Sequence, residues 1–520
     1  MKKIVLTIFA LSLVFSSCEF DKGFEEMNVN PAKASQIDVG NKFASVILRT
    51  SGGRYENWRA SLIYQSVMIQ HFSSTAGYWS GDRYFRNDGY ATSLWDRYYP
   101  SAVKEIEDIR AQLTAEGNNG SEMGMTRILR VFIYSRLTDL HGDIPYSEAG
   151  QGYTNGILKP KYDPQKDIYM DMLKELEEAV AQIGSSSTLG VSDVMFKGDT
   201  AKWKAWGNSM MLRLAMRLTK ADPATAQAWA EKAVTAGTMT SNDHIAMVPH
   251  TDGPEGINKN GHGEVFDADG NPRMSKTFID WLQDDPRLPI LAARRSDKST
   301  DPADLIGMPN GSTGATVPDT SIYAEPNRNV ITKRDVPMVF QTYAEVRLLK
   351  AEMAFRGWSV PGDAKTHYEA GVKAAMQMLS QIYPNAAAIT DAEVDAYLVK
   401  KPYDAAKGWE MISEQYWAAT LLNEYESFSN WRRTGYPTLT PTNDPGNVTG
   451  GTIPRRLIYP TGEESTNAEN FAAAIARQGP NDFVTREFGG INKKFLFFIY
   501  SKKGGFIPPF LFKNSSKYRL

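Results

Sequence analysis

The sequence predicts a mainly α fold of stacked helix pairs, interrupted by long irregular loops and a few short strands. Three observations carry this. Apolar residues recur at helical spacing through several long segments. Two of those segments are followed by a second helix-like run rich in small residues. Between them lie stretches dense in Gly, Pro, Asn and Asp, too long to be simple connections.

The chain opens with Lys2 and Lys3, an apolar run from Ile4 to Phe15, then Ser16, Ser17 and Cys18. Charge, apolar core and small residues in that order are the layout of a secretory signal. The twelve-residue run is too short to cross a bilayer as a helix, which takes about 20 residues. Cys18 is the only cysteine. Its place after the small residues resembles a bacterial lipobox, with Phe15 where Leu is usual; a plain signal peptide with an incidental cysteine is the alternative. The expectation is a cleaved signal over 1–17, lipidation of Cys18, and a polar tether over 18–35 with a turn at Asn28-Val29-Asn30-Pro31. A single cysteine leaves no intrachain disulfide and no thiol chemistry for the body.

The body, 36–487, is too long for one small core and suits several lobes or one helical array. In 125–140, Leu129, Phe132, Ile133, Leu137 and Leu140 share a face. Ile168, Met172, Leu176, Val180 and Ile183 do so in 166–183. Trp203, Trp206, Met210, Leu214 and Leu218 do so in 199–219, with Asp199 and Thr200 as N-cap candidates. A small-residue helix follows from Ala226 to Ala236. Val339, Tyr343, Val346, Leu349 and Met353 recur in 339–356, followed by a helix in 363–381. One more helix is expected over 409–428. The pairing resembles tetratricopeptide-type hairpins, which bury their faces by stacking. Residues 248–275, 297–337 and 436–466 read as irregular loops. The tail, 488–520, carries seven Lys or Arg and no acid, an abrupt shift that fits none of the preceding pattern.

A net charge of −2 gives no steering toward nucleic acid. Aromatic residues are abundant, with 11 Trp, 24 Tyr and 23 Phe, and exposed rings stack on sugars as readily as buried ones build cores. The histidines are scattered, without paired zinc-ligand spacing. There is no nucleophile elbow and no phosphate loop. Asp267-Ala268-Asp269-Gly270-Asn271 resembles the start of a calcium loop, but its twelfth position is Phe278, where a Glu is needed. No metal and no cofactor is expected.

Several longer motifs stand in a fixed order: Leu137-Thr138-Asp139-Leu140-His141-Gly142-Asp143-Ile144-Pro145-Tyr146, then Trp203 to Lys220, Tyr343-Ala344-Glu345-Val346 with Ala351-Glu352 and Arg356-Gly357-Trp358, Trp431-Arg432-Arg433-Thr434-Gly435-Tyr436-Pro437, and Ile453-Pro454-Arg455-Arg456-Leu457-Ile458-Tyr459-Pro460. Over roughly 18–486 the chain resembles the SusD/RagB family, in its SusD-like branch. That resemblance implies a surface-exposed, lipid-anchored outer-membrane protein of Bacteroidota, helical and not an enzyme. It implies capture of an oligosaccharide or other nutrient, and service as the lid of a SusC-like TonB-dependent transporter. The motif residues themselves read as structural: Arg432 and Arg433 offer forked hydrogen bonds able to tie the C-terminal segment to the helices.

The ligand candidates are aromatic residues in a polar, Gly-rich setting: Tyr78, Trp79, Tyr84, Phe85 and Tyr90, with Tyr323 and Arg328 in a second loop. Rings cover the apolar face of a sugar while charged and amide groups bind its hydroxyls. The alternative is that these rings bury a helix start. Two other functions stay open at this point: a surface glycan hydrolase, and a purely structural helical-repeat subunit of an outer-membrane complex.

Overall fold

The computed structural model describes residues 37–254 and 256–486. The signal segment, Cys18, the tether and the 488–520 tail lie outside them. Among the described residues no helix is long and apolar enough to cross a membrane.

Helix α1 (Val39–Ser51) is capped by Asp38, whose carboxylate accepts from the N–H groups of Gly40 and Asn41. The chain then passes through Arg54–Glu56 into a π-helical stretch, Asn57–Ser66. Five helices follow in which each packs on the next: α2 (Lys104–Ala115), α3 (Ser121–His141), α4 (Gln165–Gln182), α5 (Thr200–Arg217) and α6 (Pro223–Ala236). Helix α7 (Tyr343–Phe355) joins this array against α5 and pairs with α8 (Ala364–Ile382). Helix α9 (Gly408–Ala419) lies on α7 and α8, and α10 (Glu424–Thr434) on α9 and α3. Four small antiparallel pairs staple the loops: Phe72–Ser73 with Arg273–Met274, Ile144–Pro145 with Tyr162–Asp163, Ala246–Val248 with Met338–Gln341, and Ala292–Arg294 with Ala324–Pro326. The mainly α architecture of paired helices with irregular loops is thus as the sequence predicts.

Two boundaries differ. The helix expected over 339–356 begins at Tyr343, because Met338–Gln341 is a strand and Thr342 forms a reciprocal capping box with Glu345. The helix expected over 409–428 is two helices. Thr420 Oγ1 donates to the carbonyl of Tyr416, and Leu422 turns left-handed at φ 65°. The loop 248–275 also contains a short helix, Gly261–Ala268, capped by Asn260.

The helices approach closely where glycine stands at a crossing. A Cβ on Gly207 of α5 would lie 2.5 Å from Val180 Cγ2 on α4 and 2.8 Å from Ile128 Cδ1 on α3. Trp203 and Trp206 flank this crossing and pack with Phe43, Phe132, Phe196 and Phe340. At the centre of the array a buried ionic network joins the helices. Arg213 reaches Glu345 at 2.6 Å, and Arg217 reaches Glu426 at 2.5 Å and Asp139 at 3.4 Å. Tyr416 donates to both Glu345 and Glu426. Arg433 forks onto Glu352 at 2.6 and 2.7 Å, and Arg432 donates to the carbonyls of Arg455 and Asp139.

Gly207→Val should lower Tm, at a cost of about 1–3 kcal/mol for overpacking the crossing; an unchanged melting curve by calorimetry refutes the crossing argument. A second expectation concerns pH. Burial, aided by Arg456 for His141 and Arg136 for His262, pushes both imidazoles from 6.5 down to about 3. The unfolded chain therefore takes up protons that the folded chain does not. Their contribution is complete above pH 6.5 and is lost as pH falls toward 3, at roughly 1.4 kcal/mol per pH unit per histidine. In urea unfolding followed from about pH 7 to pH 5, His262→Asn should reduce the slope by about one proton. An unaltered slope contradicts a neutral buried His262.

Candidate functional site

A cluster of rings, two of them partly exposed, forms where three segments meet. Trp58 comes from the π-helical stretch, Tyr78 and Trp79 from the loop after it, and Asp269 from the end of Gly261–Ala268. Asp269 is almost fully buried, at 3% exposure. Its Oδ2 accepts from Trp79 Nε1 at 2.8 Å, Tyr78 Oη at 2.9 Å and Trp58 Nε1 at 3.2 Å. Its Oδ1 accepts from the backbone N–H and the side-chain amide of Asn271 at 2.9 and 2.8 Å. Asn271 also donates to Tyr78 Oη at 2.8 Å. Burial, with this carboxylate beside it, pushes the Tyr78 hydroxyl up to about 12, so it remains a donor at neutral pH.

The rings of Trp58 and Tyr78 meet edge to face, with centroids 6.0 Å apart and planes at 86°. Trp58 is half-buried and Tyr78 is 38% exposed. Along the same stretch, Tyr55, Arg59 and Tyr90 continue the surface. The Arg59 guanidinium lies 3.7 Å from the Tyr55 ring and 5.3 Å from that of Tyr90. Partly exposed edge-to-face rings with a fixed polar partner are a stiff platform for a flat, partly apolar ligand such as a sugar.

The structure sorts the expected residues. Tyr78 is in the platform and Tyr90 borders it through Arg59. Trp79 and Tyr84 correct the expectation of ligand-facing rings, because both are buried, at 0% and 1%. Trp79 is held inward by its bond to Asp269. Tyr84 is left-handed at φ 56° and accepts from the Thr442 N–H at 3.2 Å. Phe85 is half-buried under Arg83 and against Gly446. Tyr323 is half-buried, and its carbonyl accepts from the Arg295 N–H. The Arg328 guanidinium is committed to Glu325 at 2.9 Å and to the carbonyls of Phe266 and Asp269, so it positions the Asp269 loop. Sequence reasoning missed Trp58 and Tyr55. Their i, i+3 spacing beside Arg54 and Arg59 was the available signal.

The calcium-like run is accounted for by protein partners: Asp267 pairs with Arg334 at 2.9 Å, and both Asp269 oxygens accept from protein donors. Among the described residues no group of His, Cys, Asp and Glu is disposed to hold a metal ion. A larger groove of about 1010 Å³ lies elsewhere, between α2, α3 and α4. Its floor is made of charges that neutralise one another, Arg130 with Glu107 at 2.6 Å and with Glu175 at 2.7 Å. It lacks the paired, partly exposed rings of the platform, which is therefore the stronger candidate site.

A family profile, SusD-like_2, described as "Starch-binding associating with outer membrane", matches residues 31–460. No curated protein matches the chain. Among solved structures, one described as a chitin-binding protein is 34% identical, with TM-score 0.80, covering 88% of this chain and 100% of its own. A SusD-like protein of Bacteroidetes AC2a is 26% identical, with TM-score 0.77 and the same coverage. A chitin-binding SusD homolog from Flavobacterium johnsoniae, 23% identical with TM-score 0.73 over 87% of this chain and 99% of its own, shares the fold. The helical array, its motif residues and these matches together place the chain in the SusD-like family of outer-membrane-associated proteins.

Proposed function

We propose that this protein is a surface lipoprotein that captures an oligosaccharide on the Trp58–Tyr78 platform and delivers it to a SusC-like TonB-dependent transporter as its lid. The observation that carries the reading is the pair of partly exposed rings fixed through one buried carboxylate. The family's description and the chitin-binding relative at 34% identity support a polysaccharide ligand. Cys18 is the proposed lipid anchor, and residues 18–35 the tether that lets the body swing over the barrel. Two or more acyl chains on Cys18 give firm anchoring where one gives only marginal binding. Ligand affinity need not be high, because a partner barrel raises the effective concentration of a captured ligand.

The reading is of a binding protein and not a hydrolase. A glycosidase pairs two carboxyl groups across the scissile bond. The buried carboxylate of this platform, Asp269, accepts hydrogen bonds at both oxygens and is occupied in orienting rings.

Trp58→Ala should weaken binding of a glycan by about tenfold, ~1.4 kcal/mol, in a protein that still melts cooperatively. Asp269→Ala leaves three ring donors without their acceptor and should weaken it at least as much. Titration calorimetry against a glycan panel measures both; unchanged affinity in folded variants removes the platform. Release of reducing ends by the purified protein would favour the hydrolase instead. In cells, Cys18→Ala should move the protein out of the membrane fraction and abolish labelling by a fatty-acid analogue. Retention of both would contradict the proposed anchor.

A further inference from the structure

The platform is bordered by arginines that, among the described residues, make no ion pair with a carboxylate. Arg54 Cζ lies 5.0 Å from the Trp58 ring. Arg59 Cζ is 5.8 Å from Trp58 and 3.7 Å from Tyr55, and Arg97 Cζ is 4.4 Å from Tyr55. Arg97, Tyr55, Arg59 and Tyr90 thus form an alternating stack of cations and rings beside Trp58. Among the described residues many arginines are ion-paired, such as Arg86 with Asp88, Arg294 with Asp297, Arg295 with Glu325, and Arg334 with Asp252 and Asp267. Among the described residues Arg54, Arg59 and Arg97 make no ion pair. The polar contact of Arg59 is a 3.4 Å bond to the carbonyl of Tyr55.

Buried Glu56 lies within the field of Arg97 and Arg59, and Asp96 within that of Arg97, but neither acid reaches ion-pair distance of the stack. Glu56 is buried beneath, at 6% exposure, and its Oε1 accepts from the Gly53 N–H. Asp96 accepts from Thr92 Oγ1 at 3.0 Å. Asp88 is taken by Arg86, Asp267 by Arg334, and Asp269 is enclosed by its own donors. Arg54 and Arg97 are exposed and Arg59 is half-buried.

We propose that the glycan captured here is acidic: a carboxylate or sulfate on a sugar ring docks on Arg54, Arg59 and Arg97 while a neighbouring ring lies on Trp58 and Tyr78. This rests on the glycan-binding reading above and narrows its substrate class. A guanidinium stacked on an aromatic ring keeps its N–H edges free and its plane fixed, the geometry that meets a planar carboxylate or a sulfate with two parallel bonds. Held this way it loses little freedom on binding. Three such groups around one platform suit a polymer whose charges repeat along the chain. An exposed cation of this kind attracts oxyanions most strongly at low salt.

The test uses the mature soluble chain and three probes of matched length: oligogalacturonate for carboxylate, carrageenan oligosaccharide for sulfate, and chitin oligosaccharide as the neutral control. Calorimetric titration is run at low and at high salt. At least one acidic probe should bind about tenfold or more tighter than the neutral one at low salt, and the advantage should shrink at high salt. Arg97 leans on Tyr55 and not on the platform rings, so Arg97→Gln should reduce the acidic affinity severalfold and leave neutral binding unchanged. Arg54 lies on the Trp58 ring, so Arg54→Gln should reduce acidic affinity more than neutral affinity, whereas Trp58→Ala reduces both. Neutral binding equal to or tighter than both acidic probes, or acidic binding indifferent to the arginine variants, overturns the acidic ligand and leaves the glycan reading standing. Absence of binding by every probe overturns both.

Discussion

The buried network of Arg213, Arg217, Glu345, Glu426 and Asp139 is the constraint on which the rest of the molecule depends. It joins α3, α5, α7 and α10, with Tyr416 of α9 bridging the two glutamates. Such a network contributes little net stability over a well-packed apolar core, yet losing one member costs about 3–5 kcal/mol by stranding a buried charge. Its physical consequence is register. Helices stacked only through apolar faces can slide by a turn; helices that must each present a charged group to one point cannot. The depressed carboxyl of Glu426, where burial is outweighed by Arg213 and Arg217, is the mark of that meeting point. Arg213, Arg217, Glu345 and Asp139 lie within the ordered sequence motifs, so those motifs encode helix register more than ligand contact.

A rigid array lets the loops carry function. The segments that build the platform come from residues 57–66, 76–79 and 269–271, and they are locked in successive steps. The strand pair Phe72–Ser73 with Arg273–Met274 brings the loops together. Arg328 holds the carbonyls of Phe266 and Asp269, Glu325 holds Arg328, and Asp269 then holds the rings. A sugar pays little to bind where rings are already oriented, since pre-organisation removes the ordering cost from the binding step.

Much of the fold was legible in the sequence and much of the site was not, for one physical reason. Helices 121–141 and 200–217 announce themselves because their apolar period is local. The stretch 57–66 does not, because a π-helical winding buries nearly every residue from Ala60 to Ser66 and erases the period. The break at Leu422 is invisible for the same kind of reason: the apolar pattern runs on through 409–428 while the backbone turns left-handed. In the site, Tyr78 and the Asp269 run are each conspicuous, but 191 residues separate them and neither names the other. Read alone, Asp267 to Asn271 resembles an ion loop. In the fold its central carboxylate is a clamp for indole and phenol donors. Trp79 and Tyr84 fail as surface rings because a Gly-rich polar neighbourhood does not tell which of several rings turns inward.

The division of labour between array and platform bears on how a capture protein changes its ligand. Core arginines such as Arg213 and Arg433 are paired, buried and bound to register, so altering them damages the fold. The platform arginines Arg54, Arg59 and Arg97 make no ion pair and lean on rings, so altering them removes a surface charge without breaking a buried pair. On the proposed reading, specificity therefore sits where substitution is least costly to stability, on the segment between α1 and α2. The same segregation explains why the ordered motifs identify the family clearly and reveal so little of the ligand.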